Sequence, residues 1–291
     1  EETNKEKELA EILKDAATLH KDLRNYGNLE DKQKPLLVSG ILLALREVEF
    51  KGFNIDDLIG DDINTDGQKI YEAIEKNLQR AKVSPEVKKD KLLSQFALIK
   101  DTKILNEINK NLGKTPLKHY AEFLNDKIYK SIKYTKSSED YLGRFYGEFM
   151  SYSGGDGQNL GIVLTPKHIT DLFCDLVDIK YNDIVLDPAC GTGGFLVASM
   201  YHMLEKLDEE KNKSDITDSK YQNLQASIRQ KQLHGFELQP YMFTIATTNM
   251  IFSMYITIPV ILGVVITILL GLMKVEKENK RIDMERAEKA D

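Results

Sequence analysis

Residues 183–199, DIVLDPACGTGGFLVAS, set a carboxylate, a run of small residues and an apolar helical pattern in immediate succession. The pattern reads as a strand, a tight turn and a helix. Small side chains between Ala189 and Gly194 let backbone approach a ligand closely, and a helix N-terminus offers N–H groups that lack intrahelical partners. A dinucleotide could use such a turn, but its fingerprint G-x-G-x-x-G is not met. With Gly191 and Gly193 in place, the third glycine would fall at Leu196. Asp187, at the end of the strand, faces a pyrophosphate badly and suits an amino group. Glu237 closes the next strand-like segment, LHGFEL, where it can accept hydrogen bonds from ribose hydroxyls. A nucleoside that bears a cation, S-adenosylmethionine, satisfies this set better than a dinucleotide. The alternative is a structural turn with no ligand.

The elements that must position these groups follow from periodicity. Residues 1 to about 135 read as helical, with apolar positions three and four apart in ELAEILKDAATLHKDL and KHYAEFLNDKIYKSI. DLIGDDINTDGQ and VSPEVKKDK supply turns or helix starts. Between Lys103 and Lys136 eight lysines stand against Glu107, Glu122 and Asp126, with Tyr120, Tyr129 and Tyr134 interleaved. That stretch is either a face that tracks phosphates or a solvated helix face with its tyrosines in the core. SYSGGDGQNLG (151–161) is a glycine-rich hinge and the clearest candidate boundary. Beyond it, Thr165 and Pro166 start an amphipathic helix, NDIVLDPAC is a buried-type strand, and a charged stretch (205–232) leads to LHGFEL and the helical YMFTIATTNMI. Alternating strands and helices imply a parallel sheet with crossovers, a Rossmann-like arrangement.

Bulk properties narrow the class. A chain of 291 residues suggests one or two domains, and its net charge of -6 carries no global signature of nucleic-acid binding. Two cysteines, Cys174 and Cys190, make neither a metal cluster nor a disulfide framework, which suits a reducing cytosol. The chain opens on Glu1, as a fragment would, and its charged N-terminus has no signal-peptide character. YITIPVILGVVITILLGLM (255–273) is apolar over 19 residues and long enough for a bilayer. Its β-branched content also fits a pair of buried strands. Because no turn divides the run, the expectation is a membrane span.

Three segments together, GRFYGEFMSYSGGDGQNLGIVLTPKHITDLF, VLDPACGTGGFLVAS and LHGFELQPYMFTIATTNMI, resemble the modification (methyltransferase) subunits of type I restriction–modification systems, in the N6-adenine DNA methylase family. The resemblance covers about residues 1–251. It implies transfer of a methyl group from S-adenosylmethionine to adenine in DNA, in complex with specificity and restriction subunits. It also implies that Leu164, Thr165, Pro166, Asp187, Ala189, Gly191, Gly193 and Glu237 line the cofactor site. The expected organisation is a helical N-terminal domain (1–150), a partial S-adenosylmethionine-binding, Rossmann-like α/β core (151–253), and a single transmembrane helix with a charged tail (254–291).

One part of the family pattern is missing. Such enzymes flip the adenine out of the duplex and hold it with an Asn/Asp/Ser-Pro-Pro-Tyr/Phe loop, which orients its amino group towards the methyl donor. The seven prolines are Pro35, Pro85, Pro116, Pro166, Pro188, Pro240 and Pro259, and none is followed by another. No catalytic residue is therefore assigned, and the chain alone is expected to be inactive. Alternatives are a catalytically dead S-adenosylmethionine binder or helical adaptor, or a membrane-tethered fusion with a vestigial methylase part. Six Lys and Arg residues from Lys274 to Lys289 follow the apolar run and would put the large domain on the side of the membrane away from DNA. That conflict suggests two joined pieces, a cytoplasmic methylase part and a single-pass segment contacting the membrane through 255–273.

Overall fold

A computed structural model describes residues 2–83, 85–130, 145–146, 149, 165–214, 216–255 and 267–268. The first part is helical. α1 (Glu2–Gly27) turns Ala16, Leu19 and Leu23 inward, three and four residues apart, against α5 (Lys103–Asn106) and α6 (Pro116–Leu124). The hub is α2 (Gln33–Arg46), nearly all of whose residues are buried, which packs against α3 (Asp66–Arg80), α4 (Glu86–Asp101) and α6. A helix apolar on every side must be covered on every side.

Polar residues fix the corners. Thr65 caps α3 by accepting from the Gln68 N–H at 3.2 Å, and Thr115 caps α6 by accepting from the Lys118 N–H at 3.1 Å. Thr115 also donates its hydroxyl to the buried Asp66 carboxylate (2.5 Å), whose other oxygen accepts from the Gly60 N–H (3.1 Å). The start of α3 leans on the α4–α5 corner through Asn106. Its Oδ1 accepts from the Gly67 N–H at 2.7 Å, and its Nδ2 donates to the Ile99 and Thr102 carbonyls at 3.1 and 3.0 Å. At the end of α2, buried Glu47 receives Arg80 through Nε and Nη2 at 3.1 and 3.0 Å, and the guanidinium lies 3.9 Å from the Phe50 ring centre.

The lysine- and tyrosine-rich stretch is resolved by packing. Tyr120 and Tyr129 are buried, the first donating to the Asp22 carbonyl and the second to Glu49. Lys114 pairs with Glu122 and Lys130 with Asp126. Tyr120 and Tyr129 are core and these two lysines pair locally, as in a solvated helix face with its tyrosines in the core. Tyr134, Lys133 and Lys136 lie outside the described residues, as does the glycine-rich hinge at 151–161.

Lys88 of α4 is buried, and burial alone lowers its ammonium pKa to about 7. The folded chain thus holds fewer protons than the unfolded one between about pH 7 and the ordinary lysine value of 10.5, and this site makes stability rise with pH across that window. Lys88→Met is expected to raise the melting temperature at pH 7 and to flatten that rise. Thermal melts from pH 6.5 to 9.5 check it.

After Pro166, α7 (Lys167–Leu176) lies on α8 (Gly194–Lys213). Phe173 and Phe195 meet edge to face at 5.6 Å, and the Cys174 thiol lies 3.8 Å from the Ser199 hydroxyl. Strand β1 (Val185–Asp187) precedes α8, and β2 (Leu233–Gly235) pairs with it in parallel, Val185 opposite Leu233 and Asp187 opposite Gly235. The charged stretch between them contains a further helix, α9 (Asp218–Lys231), capped by Thr217. α10 (Pro240–Tyr255) is buried around most of its surface and touches α2, α4 and α8.

The expected fold class needs correcting. The described residues are mostly helical, and the α/β part is a small sheet of very short parallel strands in the order β1-β2-β3, not an extended Rossmann-like core. β3 is Thr267–Ile268, with Thr267 opposite His234 and Ile268 opposite Gly235. It falls inside the run expected to be a transmembrane helix. Among the described residues no helix is long and apolar enough to cross a membrane. The β-branched residues Thr267 and Ile268 instead join the sheet, so the transmembrane helix and the membrane contact through 255–273 are withdrawn. The other residues of 256–273 lie outside the described set.

β1 is an edge strand among the described elements. Ile184 and Leu186 are 72% and 59% exposed, and Phe173, Leu176 and Val177 of α7 are exposed as well.

Candidate methyl-donor site

Parallel pairing carries the ends of β1 and β2 to the same edge of the sheet, so Asp187 and Glu237 arrive together although they are far apart in sequence. Backbone bonds then sew the glycine turn to the segment after β2. The Phe236 N–H donates to the Asp187 carbonyl and the Cys190 N–H to the Phe236 carbonyl, both at 2.9 Å. Inside the turn the Gly193 N–H donates to the Cys190 carbonyl at 2.7 Å. Gly191 and Gly193 have φ of +54° and +83°, left-handed conformations that cost an L side chain about 1–2 kcal/mol. Their glycines are required by the path of the chain.

The two carboxylates hold the turn open. Asp187 Oδ1 accepts from the Ala189 N–H at 3.1 Å. Glu237 Oε2 accepts from the Gly191 N–H at 3.0 Å, and its Oε1 accepts from the Gln239 N–H at 2.7 Å. Each carboxylate keeps unused lone pairs. Gly193 stands at the N-cap of α8 with no side-chain cap, and no acidic residue occupies that helix's first turn. The positive end of the α8 dipole therefore opens beside two negative groups. Such a site complements a ligand that carries a carboxylate and a cation together.

Cys190 is buried behind the turn. Burial, then the Asp187 and Glu237 carboxylates, push its thiol up to about 12. It stays protonated at neutral pH and is no nucleophile. Its raised value means that the folded chain retains a proton the unfolded chain loses from about pH 9, so this site lowers stability as pH rises from 9 towards 12. Native protein at pH 8 is expected to label with a thiol reagent only as fast as it opens. Counting modified Cys190 by mass spectrometry, with and without denaturant, checks this. Gly235 lets the thiol sit there: a Cβ on it would stand 3.0 Å from Cys190 Sγ and 2.7 Å from Leu196 Cδ1.

A pocket of about 690 Å³ lies between α7, β1 and α8, lined by Phe173, Val177, Leu186, Asp187, Pro188 and Phe195 among others. Its size suits a small organic ligand, and its apolar walls meet the Asp187 end of the site.

The structure thus joins Asp187, Ala189, Gly191, Gly193 and Glu237 in one cluster. Thr165 and Pro166 are exposed, with Pro166 at the N-cap of α7, and no described hydrogen bond brings them to the turn. Leu164 lies outside the described residues. Sequence reasoning passed over Gln232, which donates to the Tyr181 and Asp183 carbonyls at 2.9 and 2.8 Å and holds the entry to β1. No local pattern marks it.

The N-6 DNA Methylase family model matches residues 137–255, the stretch that contains the glycine turn and both carboxylates. Residues 137–255 belong to the N-6 DNA methylase family. The chain is similar to the type II restriction enzyme and methyltransferase RM.BcgI of Heyndrickxia coagulans, 46% identical over 248 residues, which are 84% of this chain and 36% of that protein. It is also similar to the type I restriction enzyme EcoEI methylase subunit of Escherichia coli, 30% identical over 121 residues, 41% of this chain and 22% of that subunit. Among solved structures, a modification subunit assigned to a type I restriction enzyme of Vibrio vulnificus YJ016 aligns over 84% of this chain and 53% of its own, with 17% identity and a TM-score of 0.48. The chain spans about a third or less of the length of these two curated relatives. The glycine turn lies within the matched segment.

Proposed function

We propose that this chain supplies the methyl-donor-binding part of an S-adenosylmethionine-dependent DNA adenine-N6 methyltransferase of a restriction–modification system. The observation that carries the reading is the uncapped N-terminus of α8 beside Asp187 and Glu237, within the matched segment. S-adenosylmethionine has a carboxylate for the helix N-terminus, an ammonium and a sulfonium for the acids, and ribose hydroxyls that can share Glu237. When bound, it supplies an electrophilic methyl group. The chain's own residues orient it: Asp187, Ala189, Gly191 and Gly193 form the turn, Glu237 ties to it through the Gly191 amide, and the family resemblance adds Leu164, Thr165 and Pro166 to the site.

Similarity to type I methylase subunits supports DNA as substrate and specificity and restriction subunits as partners, in the compartment that holds DNA. The higher identity to a type II protein named as both restriction enzyme and methyltransferase supports the same methyl transfer in a different polypeptide arrangement. The division at about residue 150, between a helical part and the donor-binding part, belongs to this reading.

Because no Pro-Pro pair occurs in the 291 residues, the target base must be held by residues supplied from elsewhere. Calorimetric titration with S-adenosylhomocysteine should show binding, and labelled methyl transfer to adenine-containing duplex by this chain alone should stay at background. Absence of binding would overturn the donor-site reading, and robust methylation would overturn the need for a supplied base-holding loop.

A further inference from the structure

We propose that Asn249, which no sequence motif singled out, is a positioning residue that fixes the glycine turn from beneath. The inference rests on the donor-site reading above. Met242, Ala246 and Asn249 are four and three residues apart on α10 and so share one face of the helix. That face lies against the turn. The Met242 methyl is 3.8 Å from where a Gly191 Cβ would stand, and Ala246 Cβ is 3.6 Å from the equivalent point on Gly193. Between them, Asn249 Nδ2 donates to the Thr192 carbonyl at 3.0 Å.

That bond completes the restraint of one peptide plane. In a trans peptide the C=O of Thr192 and the N–H of Gly193 point in opposite directions. Asn249 holds the first, and the Cys190 carbonyl accepts the second at 2.7 Å. The plane cannot flip without breaking both bonds, and the amides that follow, at the start of α8, stay directed at the donor site.

The side chain's own circumstances favour this role over packing. Asn249 is 7% exposed, and only its amide nitrogen can face a carbonyl, which fixes its orientation. Its Oδ1 is then buried with no hydrogen-bond partner. An unpaired buried acceptor carries a desolvation penalty that an apolar residue of similar size would avoid. Other residues of α10 reach the N-terminal helices: Phe252 meets the Tyr129 ring at 6.4 Å, and Lys32 stands over the Tyr241 ring. The helical part thereby braces the platform on which the turn rests.

Two substitutions in the full chain test the proposal: Asn249→Leu, which removes the donor and the orphan acceptor together, and Asn249→Asp, which keeps the shape without the amide donor. Hydrogen exchange over residues 188–196 is read alongside affinity for S-adenosylhomocysteine and the melting temperature. The expected result is at least tenfold weaker binding and faster exchange confined to the turn, with Asn249→Leu melting no lower than the parent. Parent-like exchange in a folded Asn249→Leu, or global unfolding of both variants, overturns the positioning role. Failure of the parent chain to bind defeats only the donor-site reading, since the exchange measurement needs no ligand.

Discussion

Glu237→Ala is expected to weaken S-adenosylhomocysteine binding by more than a hundredfold. Two effects act together. The carboxylate accepts from the Gly191 and Gln239 amides at 3.0 and 2.7 Å, and hydrogen bonds to a charged group contribute about 1.5–3 kcal/mol each. Without them the turn keeps only its backbone bonds through Phe236 to the segment after β2, and the proposed partner of the ribose hydroxyls disappears as well. Each factor of ten in affinity corresponds to about 1.4 kcal/mol, so losing two hydrogen bonds of about 1.5–3 kcal/mol from the ribose hydroxyls to the carboxylate reaches the expected range, and loosening of the turn adds to it. Glu237→Gln should fall between, because an amide oxygen can still accept from one backbone N–H but carries no charge. Titration calorimetry on the three proteins, with melting curves as control, decides it. Equal affinity in Glu237→Ala would remove Glu237 from the donor site.

The largest effect on stability is expected from Gly67→Ala. A Cβ on Gly67 would overlap the Ile99 carbonyl oxygen and stand 2.7 Å from Asn106 Oδ1 and 2.8 Å from Lys100 Cα. Two of these neighbours are backbone, which cannot rotate away. Relief requires α3 to separate from the α4–α5 corner, breaking the bond from the Gly67 N–H to Asn106 and uncovering buried groups around it. Overpacking alone costs about 1–3 kcal/mol, and the lost hydrogen bond adds about 1 kcal/mol. Ordinary glycine-to-alanine exchange within a helix would have the opposite sign, since alanine is the better helix former. Urea unfolding of Gly67→Ala against the parent reads both sign and size.

How much of this could be read from residues alone differs from element to element. The turn at 189–194 was legible because its chemistry is local: small residues, a preceding acid and a following helix occupy one short stretch. The helix starts at Thr65, Pro85 and Pro166 were legible for the same reason. The partner of Glu237 was not. Its Gly191 amide is brought near only by the pairing of β1 with β2, and nothing in LHGFEL announces that bond. α9 was hidden because charged and polar residues dominate 205–232 and little of the helix is buried. The apolar run after Tyr255 misled for a different reason. Counting apolar residues measures how much must leave water, not where it goes, and Thr267 and Ile268 go to a sheet edge. Asn249 and Asn106 look like ordinary polar residues in helical stretches until their amides are seen clamping carbonyls on other parts of the chain.

The open edge of β1 has a colloidal consequence. Among the described residues β1 has no partner on one side, which presents backbone donors and acceptors in register for a second chain, and here Ile184 before it and Leu186 within it are exposed along with Phe173, Leu176 and Val177 of α7. A net charge of -6 spread over the whole molecule repels weakly at physiological salt, where screening acts within about 8 Å. Concentration and ionic strength therefore govern how this chain behaves in the tube, and salt that quiets its surface charges brings those edges together.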